Sequence, residues 1–518
     1  MSTSWLANAE PTTAWAHQPW TEFDALPQRD RALVILPVHG FADHGLGLPL
    51  DAEELAGASL LREAASLGKS AGLSLRVLPP LRFGLAPYPS TFFGIDPETA
   101  HDHVREIAAC VRESGFSKLV FFVTSPWHEE WIDAASRDVR VELGLQTFVI
   151  NLSGLGLDFH PASESRAQSQ AVVSHVLGKR PSVTTRAADI RDPSFRPGNF
   201  RQPSPLAPSA ELNGAVLAAG AAHHLARLLA EIDARAPLGS AEPRAVVDIP
   251  PRRAALDETD TPVHFPLGYR GRYLPSLTRD ELDAWPDKDR TLVILPTAAI
   301  EQHGHHLPVG VDAILGQAWL AQTLPKLASD ARALVLPPIT FGKSNEHAGF
   351  AGTVFISAKT LRRLLLATAT QLQALGFRHL AILNTHGGNS AVVVYTLREI
   401  QTTLGLRAGM INFPYKPDVS PQEAEYGFHA GEWETALMLA CAPDLVHMEK
   451  ATCEYPARLD DPGELRPENA PAIFSWISSD ISKSGVMGDA TKATRAKGLH
   501  WFELGTTALA KRISELLP

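Results

Sequence analysis

One stretch of this chain occurs twice. "RALVILPVHGFADHGLGLPLDAEEL", from Arg31, aligns without a gap on "RTLVILPTAAIEQHGHHLPVGVDAIL", from Arg290, 259 residues further on. Later landmarks keep nearly the same spacing: "LPPLRFG" (78–84) with "LPPITFG" (336–342), and "GFSKLVFFVTS" (115–125) with "GFRHLAILNTH" (376–386). A period this long is not a solenoid repeat but a whole domain duplicated in tandem. It fits the length, because 518 residues exceed one ordinary core. Six prolines between Ala236 and Gly268 mark the join. The reading is a first domain over 1–240, a linker over 241–259 and a second domain over 260–518.

Within each copy, short apolar runs such as "TLVILP", "ALVLPP", "HLAILN" and "AGMINF" read as buried strands. Helical patterns alternate with them, for example "TLRRLLLATATQLQALG", which ends on a glycine. Strand–helix alternation predicts α/β domains, each a mostly parallel sheet flanked by helices. In such sheets ligands sit beyond the carboxyl ends of the strands. That is where "AAIEQHGHHLPVGVD" (298–312) and "NTHGGN" (384–389) fall.

These stretches carry the chemistry of the second copy. Glu301, His303 and Asp312 follow its first strand, His386 follows another, and His429, Glu432 and Glu434 lie in "HAGEWETALMLA". Read as the start of a helix, that last block puts His429 and Glu432 three apart on one face. Carboxylates and imidazoles without thiolates suit Zn²⁺, Mn²⁺ or Fe²⁺, one ion or two. Asp312 is placed to bridge, with Glu301 and His386 completing one metal and His303 with Glu432 the other. Taken singly, each of these residues has an ordinary reading as a cap, a turn or a solvated charge; the set carries the argument. The proton-carrying candidates are His429, Glu432 and Glu346. In the first copy the aligned positions hold Ala42, His44, Glu53 and Ser125, and Tyr88 and Pro89 replace Glu346 and His347. At most two ligands survive there, so that half is expected to be non-catalytic.

Five blocks of the second copy, "EQHGHHLPVGVD", "FGKSNEHAGFAGT", "NTHGGN", "HAGEWETALML" and "GVMGDATKATRAKG", stand in an order that resembles the creatininase family of metal-dependent amidohydrolases. The resemblance implies an α/β sandwich-like domain, often in hexamers, with one or two divalent metals and C–N bond hydrolysis. The reactions it implies include creatinine ring opening, formamide hydrolysis and peptide trimming. By motif it assigns Glu301, His303, Asp312 and His386 as metal ligands and puts His429 near the scissile bond. Two departures matter. Creatininase carries a glutamate two positions after the histidine matched by His386, where this chain has Gly388. It also carries a tryptophan four residues before the "HAG" histidine, where this chain has Glu425. The first departure leaves either no second metal or Glu432 in place of the missing carboxylate; the second points away from creatinine. His305 and Ala351 stand where the family often has proline.

The remaining expectations concern setting. A formal charge of −10 argues against nucleic acid as a partner. No uncharged apolar run of about 18 residues suggests a membrane span, and the N-terminus does not read as a secretory signal. Three scattered cysteines fit a reducing cytoplasm better than a disulfide framework. The partner expected is a small-molecule amide. If the ancestral domain paired with itself, two copies in one chain satisfy that interface internally, and a homo-oligomer, a trimer of such chains, mimics a hexamer. The first half then serves as a partner or lends a loop to the site. The competing readings are hydrolysis of a lactone or ester on the same scaffold and a non-catalytic scaffold protein.

Overall fold

The computed structural model describes residues 12–86, 88, 90–178, 212–239, 242–250, 269–455, 465–467 and 472–518. Most of the expected linker, and Pro89, lie outside them. Each half is built on a parallel sheet. In the first half the strands are β1 (Leu33–His39), β2 (Leu75–Val77), β3 (Leu81–Arg82), β4 (Lys118–Val123) and β5 (Gln146–Asn151). Their order is β2-β1-β4-β5, with β3 also on β1. In the second half β6 (Leu292–Thr297), β7 (Ala333–Val335), β8 (His379–Asn384) and β9 (Arg407–Met410) follow the order β7-β6-β8-β9. The register repeats as well. Leu33 pairs with Lys118 and Leu292 with His379, which are aligned positions of the two copies. The central strands β1 and β6 are buried along their whole length. This is why they read as continuous apolar runs rather than alternating ones.

Helices cover the sheets. In the first half these include α1 (Ala52–Ser70), α2 (Pro97–Glu113) and α3 (Gly214–Ala234). Those of the second half include α4 (Val311–Thr323), α5 (Ala358–Leu375), α6 (Glu432–Cys441) and α7 (Arg495–Leu516). The glycine at the end of "TLRRLLLATATQLQALG" stops α5 as expected: Gly376 takes φ +98, and Ser357 caps the other end by accepting from Thr360 N at 3.1 Å. α3 is long and apolar enough by composition to cross a membrane, a feature the sequence reading passed over. In the structure its Leu225, Ala226 and Leu229 are fully buried in the core of the first half, in a cluster shared with Leu60, Leu61 and Ala64 of α1.

The two halves pair about a pseudo-twofold axis. Ala16 and Gln18 carbonyls accept from Gly310 N (3.0 Å) and Val309 N (2.9 Å). Pro275 and Leu277 carbonyls accept from Asp51 N and Leu50 N, both at 3.0 Å. The residues in the second pair of bonds are the aligned counterparts of those in the first, with the halves exchanged. This is the self-complementary geometry of a twofold dimer, here inside one chain. One continuous core cluster, including Trp15, Phe23, Phe116, Val354 and Ile356, spans the junction.

Candidate metal centre

The site is assembled at the carboxyl ends of β6 and β8. After β6 the chain runs through Glu301, Gln302 and His303, each at most 1% exposed. It turns at Gly304 (φ +72) and enters α4, whose first turn carries Asp312. A carboxylate there is favoured by the helix dipole before any cation is considered. Thr385 Oγ donates to the Asp312 carbonyl at 2.9 Å, fixing the helix start against the loop after β8. His386 is the next residue.

Three sets of possible ligand atoms lie within 4.8 Å of one another: Glu301, Asp312 and His386; His303, Asp312 and Glu434; and Glu301, His303 and His429. Asp312 belongs to the first two. Its Oδ2 lies 3.5 Å from His386 Nδ1 and its Oδ1 lies 3.6 Å from His303 Nε2. Glu301 Oε1 is 3.1 Å from His386 Nδ1, and Glu434 Oε2 is 3.9 Å from His303 Nε2. Metal bonds of about 2.0–2.2 Å at tetrahedral angles put ligand atoms about 3.3–3.6 Å apart. Most of these spacings are thus close to those of ligands around a shared ion, and Asp312 offers one oxygen to each of two sets.

The polar bookkeeping supports the same reading. Glu301 Oε2, His303 Nε2 and Asp312 Oδ2 are buried and have no hydrogen-bond partner, an expensive condition unless something else satisfies them. Burial pushes the Glu301 and Glu434 carboxyls up, with Asp312 adding to both. Burial would lower His303, but Asp312, with Glu434 and Glu301, outweighs it and raises the imidazole to about 9. Likewise Glu301 and Glu346 outweigh burial at His386 and raise it well above the ordinary histidine value. The cluster takes up protons where it lacks a cation, as a set of buried ligands for a dication should.

The surrounding groups orient the ligands. His303 Nδ1–H donates to the Glu301 carbonyl at 3.0 Å, leaving Nε2 for the centre. His386 Nε2–H donates to the Lys343 carbonyl at 3.1 Å. Glu346 lies on that same side, Oε1 3.4 Å from His386 Nε2 and Oε2 2.8 Å from Lys343 Nζ. Glu346 thus stands behind the imidazole, on the side away from Glu301 and Asp312. His429 Nε2–H donates to the Gln302 carbonyl at 2.7 Å, so its Nδ1 faces Glu301 Oε1 at 3.8 Å. Burial and the neighbouring His303 hold it well below the ordinary histidine range, hence neutral.

His347, Gln302 and Ser478 were not singled out in the sequence. Gln302 Nε2 (2.9 Å) and Ser478 Oγ (2.7 Å) both lie within hydrogen-bond distance of His347 Nδ1, and His347 Nε2 lies 3.5 Å from Glu301 Oε1. His347 stands in the block that drew attention to Glu346, so its signal was present but assigned to its neighbour.

Glu432 requires the larger correction. Its carboxylate pairs with Lys497, and it belongs to none of the ligand sets. Glu434, two residues on and so on the other side of α6, takes the place assigned to it. The assumed spacing failed because His429 is not helical. It forms an antiparallel bridge with Met487, Ala430 adopts φ +53, and the helix begins only at Glu432. The Gly431 N-cap offers no side chain; instead the buried Glu423 accepts from Glu432 N at 2.8 Å, from Tyr455 OH at 2.6 Å and from Asp489 N at 2.9 Å. Glu434→Gln is therefore expected to lower bound metal per chain by elemental analysis, whereas Glu432→Gln keeps the wild-type metal content. The reverse result would restore the sequence assignment.

A family model described as creatininase, creatinine amidohydrolase, matches residues 16–180 and 275–513, most of the chain and both halves. The chain belongs to the creatininase family. It is 31% identical over 229 residues to the mycofactocin precursor peptide peptidase of Mycolicibacterium smegmatis, covering 44% of this chain and 86% of the relative. It is 29% identical over 269 residues to the creatinine amidohydrolase of Pseudomonas putida, covering 48% of this chain and 97% of the relative. It is 26% identical over 257 residues to the 3-dehydro-scyllo-inosose hydrolase of Thermotoga maritima, covering 44% and 79%. A solved structure of creatininase with Mn superimposes with a TM-score of 0.40 at 27% identity, over 48% of this chain and 99% of that one. These curated relatives are hydrolases, and this chain is a creatininase-family hydrolase.

The aligned positions of the first half hold a different set of groups. Ala42 stands where Glu301 does. Glu53, one methylene longer than Asp312, reaches into the centre. It accepts from Gly40 N (2.9 Å) and Ser125 Oγ (3.1 Å) and lies 2.9 Å from His44 Nε2. The polar side chains at the aligned positions are thus paired with one another. Among the described residues, every set of possible metal ligands lies in the second half.

Proposed function

We propose that the second half is a divalent-metal-dependent amidohydrolase. It cleaves a C–N bond in a cyclic amide, a formamide or a small peptide-like substrate, and uses one or two Zn, Mn or Fe ions. The observation that carries this reading is the Asp312 carboxylate, with one oxygen toward Glu301 and His386 and the other toward His303 and Glu434. A divalent cation bound there supplies an activated water and polarises the substrate carbonyl.

The chain's own residues do the rest. Glu301, His303, Asp312 and His386 hold the cation, with Glu434 on the His303 side. His429, neutral and with Nδ1 toward the centre, accepts a proton and delivers it to the leaving nitrogen. Lys343 and Glu346 keep His386 turned so that Nδ1 faces the acids, and His347 steadies Glu301. Glu425, where creatininase has its tryptophan, pairs with Arg466 at 3.2 Å and is no aromatic cover, so the substrate is an amide other than creatinine.

The test is elemental analysis of the purified chain, followed by a panel of cyclic amides, formamides, short peptides and lactones with and without chelator. Bound divalent metal and chelator-sensitive amide turnover are expected. A metal-free folded protein, or turnover confined to lactones, would overturn the proposal.

A further inference from the structure

The first half packs against the loops that carry the proposed metal centre. We infer that the segment Trp15–Phe23 of the first half is a positioning element for the metal centre of the second. It fixes the two loops that present Asp312 and the Glu346–His347 pair. The inference rests on reading that site as a metal centre.

Consider first the loop after His347. Trp15, fully buried, donates its indole N–H to the Gly352 carbonyl at 2.8 Å. Gly352 N in turn donates to Ser114 Oγ at 3.0 Å. Gly352 takes φ +87, and a Cβ there would lie 2.3 Å from the Phe23 ring. Only glycine tolerates both the backbone and the close approach. The loop is thus held on several sides by the first half. Two residues on, Val354 N donates to the Ile300 carbonyl at 2.8 Å, immediately before Glu301.

The second loop is held by backbone. Gln18 and Ala16 carbonyls take the Val309 and Gly310 amides, and a Cβ on Gly310 would lie 2.5 Å from the Ala16 oxygen. Gly310 is the N-cap of α4, two residues before Asp312, and Val309 O accepts from Glu301 N at 2.9 Å. Between the loops stands Trp20, its ring centroid 5.2 Å from both His305 and Phe350. One short segment therefore braces the strand end bearing Glu301, the helix start bearing Asp312 and the loop bearing His347. Outer partners of this kind set ligand geometry, and losing one costs a metal site about 10–100-fold in affinity.

The pseudo-twofold supplies its own control. The mirrored contact, Pro275 and Leu277 on Leu50 and Asp51, is reinforced by Arg270, which pairs with both Asp51 oxygens at 2.7 and 3.0 Å. It braces the aligned site of the first half, where no metal set exists among the described residues.

The experiment titrates the metal-free full-length chain with Co²⁺, followed by its visible absorption, beside thermal melting. Trp15→Phe keeps the ring packing but removes the bond to Gly352, and is expected to weaken Co²⁺ binding about tenfold. Arg270→Ala is expected to lower the melting temperature at least as much while Co²⁺ affinity stays within about twofold of wild type. Wild-type affinity in Trp15→Phe, or equal weakening in Arg270→Ala, would reduce the segment to a general interface and overturn the inference. A wild-type chain that takes up no cobalt would instead overturn the metal reading, and this inference with it.

Discussion

Asp312→Asn is expected to abolish turnover, by about a thousandfold or more, and to do so without unfolding the protein. The substitution keeps shape and volume, so the fully packed start of α4 suffers no cavity. It also removes one of three carboxylates, with Glu301 and Glu434, that crowd the same buried space. In the metal-free protein this relieves repulsion with Glu301 and Glu434 but removes a partner of the charged His303 and His386, so the two effects oppose and the melting temperature should shift little. The cost appears on adding metal. Wild type should gain about 2.7 kcal/mol of stability when free metal is a hundred times its dissociation constant; the variant, lacking the carboxylate shared by two ligand sets, should gain far less. Calorimetry with and without divalent metal reads this directly. Equal metal-induced stabilisation in both proteins would remove Asp312 from the centre.

That asymmetry also explains how much of the site was legible in the sequence. Glu301, His303, Asp312 and His386 sit at strand ends or in the first turn of a helix, where short local rules fix position, and the structure brings all four together. The sheets were legible for the same reason: parallel strands buried on both faces announce themselves as apolar runs. Glu434 was misassigned to Glu432 because the start of α6 is set by tertiary contacts. The bridge to Met487 and the carboxylate of Glu423, neither visible locally, hold His429 out of the helix. The surroundings of Glu346 were hidden for a related reason. Sequence places it one residue from His347, but only the fold shows that His347 faces Glu301 while Glu346 faces the back of His386.

The pairing of the halves has a further consequence. In the first half Glu53 is bonded to Ser125 and Gly40, and among the described residues no set of metal ligands forms there, yet the interface is present. Trp15, Phe23 and Ser114 remain packed on Gly352. Packing without a ligand set is what a supporting partner requires.

Gly388 tests how the proposed centre would be completed if it takes a second metal. Creatininase has a glutamate there, so Gly388→Glu resembles a restoration, yet it is expected to destroy the centre. A Cβ at residue 388 would lie 2.0 Å from Glu346 Oε1, 2.5 Å from His386 Nε2 and 2.6 Å from the Lys343 carbonyl. These are the groups that aim His386 at the acids, and Glu346 is held by Lys343, so the collision is transmitted to the metal ligand. Even Gly388→Ala should weaken metal binding by tenfold or more and cost about 1–3 kcal/mol of stability. Gly388→Glu should do no better, because its carboxylate cannot reach the centre without displacing His386. Elemental analysis and cobalt titration of both variants separate the alternatives. If Gly388→Glu instead gains metal per chain, the second position is built from residue 388 and not from Glu434. If it loses metal while Glu434→Gln also loses metal, this chain completes its centre from α6, with a carboxylate 46 positions away from the one creatininase uses.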